Sequence, residues 1–115
     1  MADIEEYFYR LSPKNRTIIW LLAMGYNATE IRDIKAGDLG EIMDSIPTKY
    51  PDLRVWCESR AQEADPDDHA FEKQQGKAMG KDYILSLLIK AHERLDEEFT
   101  SVQDFVERIG IAEEA

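Results

Sequence analysis

The chain has 115 residues, the length of one domain, and a core of that size needs no disulfide or metal to hold it together. Hydrophobic residues make up 43% and charged residues 33%, which excludes a disordered chain and fits a soluble globule. Asp and Glu number 24 against 14 Lys and Arg, so the net charge is −10, which argues against unaided binding to DNA, RNA or an anionic membrane and favours a basic partner.

Helix signals follow one another along the chain. Asp3 with Glu6 three residues on has the capping-box spacing and predicts a short helix from Ile4 to about Leu11. Ser12-Pro13 predicts a second start, Ser as cap and Pro at the first helical position. Thr17 to Met24 is apolar on nearly every face, so that helix is expected to be central and buried, with Gly25 stopping it in the left-handed cap position. Asn27 with Glu30 caps a third helix that turns Ile31 and Ile34 inward. Asp38 with Glu41 starts a short one ending near Ile46-Pro47.

Pro51 opens the next helix, where Leu53, Trp56, Cys57 and Arg60 keep the three-four spacing of one face. Asp65-Pro66-Asp67-Asp68 ends it as a turn. Phe71 to Lys81, with two glycines, three lysines and two glutamines, reads as a loop with at most one helical turn. The strongest amphipathic helix follows, with Ile84, Leu87, Leu88, Ala91 and Leu95 as its buried stripe. Thr100 with Gln103 caps a last helix facing inward through Val102, Phe105, Val106 and Ile109. No stretch alternates with β-branched residues. The expectation is an all-α fold of six or seven helices, a single domain over residues 1–115. Helices 13–24 and 82–97 are expected to pack together, burying Trp20, Leu21, Leu88 and Leu95.

The single cysteine, Cys57, cannot form an internal disulfide, and the acidic Met1 to Glu6 has no basic start of a secretion signal. The longest apolar stretch, Tyr83 to Ile89, is too short to span a bilayer. These features point to a cytoplasmic protein. Asp65, Asp67, Asp68 and His69 invite a calcium loop, but counting from Asp65 the sixth and twelfth positions are Ala70 and Gly76 rather than Gly and Glu. One Cys and two distant His do not make a zinc set. No metal and no cofactor is expected. Cys57 has no His nearby in sequence and reads as a small buried apolar residue rather than a nucleophile. Lys73, Lys77 and Lys81 read as a solvated ridge.

Two resemblances fall on residues 11–46. Leu11-Ser12-Pro13-Lys14-Asn15-Arg16 with Leu22-Ala23-Met24-Gly25 and Glu30-Ile31 resembles the opening of a response-regulator-type helix-turn-helix. The helix that would enter the major groove, Leu39 to Ser45, carries two carboxylates and none of the Arg, Lys, Asn or Gln donors that read bases. Gly25 to Leu39 resembles the first catalytic box of tyrosine recombinases and phage integrases. Asp67 to Phe71, Gly76 to Met79 and Tyr83 to Leu88 are similar to that family's run into the helix after its β-hairpin, so the resemblance covers residues 11–95. It implies a DNA strand-transfer ancestry, but the residues for that chemistry are missing. Asn27 stands at the catalytic Arg position, no His-x-x-Arg box exists, and the last tyrosine is Tyr83. The resemblance therefore implies a catalytically dead relative, with no enzyme activity.

The acidic excess lies in the second half, where residues 61–115 hold 14 acidic against 6 basic side chains. Asp65, Asp67 and Asp68 form one cluster; Glu93, Asp96, Glu97 and Glu98 form another. These seven are the expected partner-binding surface. The expectation is a small non-enzymatic interaction protein of phage or mobile-element type. It would bind a basic, nucleic-acid-handling protein and inhibit it by placing carboxylates where DNA phosphates would sit. Direct duplex DNA or membrane binding is not expected, and self-association stays open. The alternative is an integrase-like or helix-turn-helix accessory that binds DNA.

Overall fold

The computed structural model describes the backbone of residues 4–74, 77–78, 81–95, 104 and 107, with side chains described for 6–71, 82–87, 89–90, 93, 104 and 107. Among the described residues six α-helices build the core: α1 Ile4–Arg10, α2 Pro13–Ala23, α3 Ala28–Asp33, α4 Leu39–Ser45, α5 Pro51–Glu63 and α6 Lys81–Leu95. A 3-10 turn, Ala36–Asp38, runs straight into α4. The all-α expectation stands. The added piece is a two-stranded antiparallel hairpin, β1 Glu72–Gln74 and β2 Lys77–Ala78, where the sequence reads as a loop. Its residues are polar and lack β-branching, so it owes its strands to pairing rather than to propensity.

Local signals place the helix ends. Ser12 Oγ accepts the Asn15 N–H at 3.2 Å and Pro13 takes the first helical position. Gly25 ends the run at φ +102°, a region closed to most side chains. Asn27 forms a complete capping box: Oδ1 accepts the Glu30 N–H at 2.8 Å, and Glu30 Oε1 accepts the Asn27 N–H at 3.1 Å. Asp38 departs from expectation. It makes no side-chain cap, because its backbone is already helical and the preceding 3-10 turn supplies the start of α4. Asp3 and the Thr100 cap lie outside the described residues. Glu6, the expected reciprocal partner of Asp3, pairs with Arg10 one turn on.

Arg16 through Leu22 are all buried, so α2 is the central helix. Its main neighbour is α5, which offers Leu53 and Cys57 as a flat buried face. The Arg16–Asp52 ion pair fixes their register, and Arg16 Nε also donates to the Leu11 carbonyl at 3.1 Å. The expected contact between helices 13–24 and 82–97 is made at the start of α2, where the Tyr83 hydroxyl of α6 donates to Asn15 Oδ1, but α5 is the larger neighbour of α2, and α6 also lies against α1 and α3. A helix that is apolar all round can take several neighbours, so its periodicity does not name one. Trp20, Leu21, Ile84 and Leu87 are buried as expected; the side chains of Leu88, Ala91 and Leu95 lie outside the described set. Among the described residues, no helix is long and apolar enough to cross a membrane.

The Asn27 cap is exposed, so its loss should act through the helix end alone. Asn27→Ala is expected to lower unfolding free energy by about 1 kcal/mol in a urea titration. Leu21→Ala, in the centre of the core, is expected to cost about 2–5 kcal/mol in the same measurement.

Candidate functional site: an acidic corner

Two distant segments form the acidic corner. After α5 the chain turns through Asp65-Pro66-Asp67-Asp68 and comes back against the connection between α3 and α4. Three backbone hydrogen bonds join them: Ala36 N–H to Asp68 O at 2.8 Å, Gly37 N–H to Pro66 O at 3.1 Å, and Ala70 N–H to Ile34 O at 2.9 Å. Lys35 and His69 pair as an isolated antiparallel bridge in the middle of this contact. The approach is close. A methyl group on Gly37 would stand 3.1 Å from Pro66 Cβ and 3.2 Å from its carbonyl oxygen, so a side chain there would press Pro66 back by a few tenths of an ångström.

Arg60 holds the turn from below. From its place on the last turns of α5, Nε donates to the Ala70 carbonyl at 3.1 Å and Nη2 to the His69 carbonyl at 2.9 Å. A charged donor on two carbonyls contributes about 1.5–3 kcal/mol per bond where water is excluded. His69 Nδ1 lies 2.9 Å from the Arg32 carbonyl. A carbonyl can only accept, so Nδ1 carries the proton. Phe71 then enters the core and stacks on Trp56 at 5.3 Å.

The result gathers Asp65, Asp67 and Asp68 in one exposed turn and places Asp38 beside it, next to Gly37. Asp65 N–H donates to Asp68 Oδ2 at 3.3 Å, which shapes the turn and leaves the remaining carboxylate oxygens outward. Nearby cations are Lys35, half-buried, and Arg32, which is paired with Asp33 at 3.1 Å. Asp38 is the member sequence reasoning missed, because it comes to the cluster as the neighbour of Gly37, whose N–H meets the Pro66 carbonyl. The signal for it was the Gly37 beside it, whose missing side chain admits Pro66.

Glu93 stands exposed on α6, a separate element, and Asp96, Glu97 and Glu98 lie outside the described residues. Among the described residues no group of three or more His, Cys, Asp or Glu is arranged to hold a metal ion. Tyr7 is buried, with its hydroxyl 3.5 Å from the Leu87 carbonyl, while Tyr9 is exposed. The apolar surface lies elsewhere: Met24 and Tyr26 are exposed at the rim of a groove of about 390 Å³ lined also by Trp20, Ser45 and Pro47.

Cys57 is fully buried, and burial pushes its thiol up to about 11 from 9.0. The thiol is therefore protonated and a poor nucleophile at neutral pH. Comparison of the chain with family models, with curated proteins and with solved structures returns no match.

The Cys57 shift has a pH consequence. The folded state holds the proton more tightly than the unfolded state, so this contribution to stability is full below pH 9.0 and is lost as pH rises toward about 11. Thiol labelling at pH 8 is expected to be negligible in the folded protein and rapid in denaturant. Cys57→Ala should flatten the alkaline loss of stability between those pH values.

Proposed function

We propose that this protein is a non-enzymatic interaction protein that binds a basic, nucleic-acid-handling partner and blocks its nucleic-acid site. The observation that carries the reading is the acidic corner: Asp38, Asp65, Asp67 and Asp68 are exposed and tied by backbone hydrogen bonds into one patch of a chain with net charge −10. Carboxylates held on a fixed backbone attract a cationic surface from a distance and dock it in one orientation. The groups that could have carried chemistry have other work. Asn27 is engaged in its capping box, and Cys57 is buried and protonated. A phage or mobile-element origin belongs to this reading through the integrase-like pattern of residues 11–95.

The second reading, a catalytically dead integrase-like accessory that binds DNA, gains support from one feature. The hairpin β1–β2 stands directly before α6, where that resemblance puts a hairpin, and Lys73 and Lys77 belong to its strands.

The test begins with affinity capture from the native host and mass spectrometry of what is retained. The captured protein and a duplex DNA are then titrated separately at two salt concentrations. The proposal expects binding to the basic protein that weakens as salt rises, and no measurable duplex binding at physiological salt. Replacing Asp38, Asp65, Asp67 and Asp68 together by Lys should abolish that binding, while reversing Glu58 and Glu63 on α5 should change it little. Salt-sensitive binding to DNA alone would establish the accessory reading instead.

A further inference from the structure

On the opposite electrostatic footing to the acidic corner, α1, α2 and α6 enclose a small cleft of about 230 Å³. Tyr7, Arg10, Leu11, Ser12, Asn15, Leu87 and Lys90 line it. In a chain of net charge −10 this mouth holds two cations. The polar groups are almost all donors. Asn15 is oriented by its neighbours: Oδ1 accepts the Tyr83 hydroxyl, which leaves the amide Nδ2 to donate. Ser12 Oγ accepts the Asn15 N–H, and among the described residues its own proton has no partner. The Lys90 ammonium is exposed and, among the described residues, makes no ion pair or hydrogen bond. Arg10 gives Nη2 to Glu6, among the described residues the one carboxylate paired with the cleft's cations, and keeps its other N–H groups. The Tyr7 hydroxyl faces the Leu87 carbonyl at 3.5 Å.

We propose that this cleft is a binding site for a phosphate-type oxyanion. Two cations, one of them shared with Glu6, a hydroxyl proton and an amide N–H₂ line one cleft from three helices and a capping residue. A planar carboxylate offers two acceptor oxygens in one plane; donors arriving from several directions suit a tetrahedral group with more oxygens and more charge. Ser12 and Asn15 are fixed by the cap of α2, so the neutral donors are in place before the anion arrives. The inference is independent of the acidic corner, and neither site needs the other.

The experiment is an amide-correlation NMR titration of the full chain with inorganic phosphate, at constant ionic strength held by chloride. The expected result is a saturable shift at the Ser12 and Asn15 signals, including the Asn15 side-chain amide, with a weaker response to acetate. Lys90→Gln and Arg10→Gln, both at exposed positions, should each weaken binding severalfold, and together at least tenfold, with circular dichroism unchanged. Parallel titrations with a nucleoside monophosphate and with phosphoserine identify the source, the tighter binder being the natural class. Shifts that rise linearly without saturation, or binding of equal strength in the double variant, would overturn the proposal.

Discussion

The contact between residues 34–38 and 66–70 governs how the acidic half of the molecule is arranged. Without it, Asp65-Pro66-Asp67-Asp68 would be a free acidic turn after α5, and Asp38 would be an isolated carboxylate before α4. Three backbone hydrogen bonds and the Arg60 guanidinium convert these into one surface. The contact has to overcome repulsion between like charges, which explains its construction. The bonds are made by backbone, which carries no net charge, and the buried-side reinforcement comes from a cation. Behind it, Ala70 and Phe71 enter the core, so the turn is anchored by burial as well as by hydrogen bonding.

The same core then separates charge across the molecule. α2 runs through the centre with nearly all faces covered, and α5 beneath it carries both the Arg16–Asp52 pair and Arg60. Carboxylates collect at the turn beyond α5. Arg10 and Lys90 stand where α1, α2 and α6 meet. Arg16 and Arg60 are spent on internal carbonyls and one carboxylate, whereas Lys90 makes no ion pair among the described residues. A single acidic chain thus presents a carboxylate patch and a cleft lined by two cations.

Much of the helical layout was legible because its signals are local. Ser12-Pro13, Gly25, Asn27 with Glu30, and Pro51 each act on the chain within a turn of where they sit, and the structure uses all of them. The failures are long-range. An all-apolar helix such as α2 does not announce its neighbour, so α5 rather than α6 is its main support. The burial of Tyr7 could not be read from α1, which at seven residues is too short for a face to declare itself; it depends on α6, eighty residues away. The hairpin at 72–78 is invisible to propensity, since its strands hold Glu, Lys, Gln and Ala. Of the acidic surface, the turn was legible as a cluster in sequence. Its union with Asp38 was not, because Gly37 shows only a missing side chain and not what fills the space.

The central claim is that the acidic corner is a fixed surface, latched to the α3–α4 connection, rather than a charged loop in solution. Amide hydrogen exchange tests it most directly, read at Ala36, Gly37 and Ala70 in the native protein and in Arg60→Met, which keeps the apolar stem and removes the donors. The latch predicts that all three amides are protected in the native protein, and that the variant loses protection there while the α2 amides keep theirs. Exchange at those three positions as fast as in an open loop, or protection unchanged by the loss of the guanidinium, would contradict it.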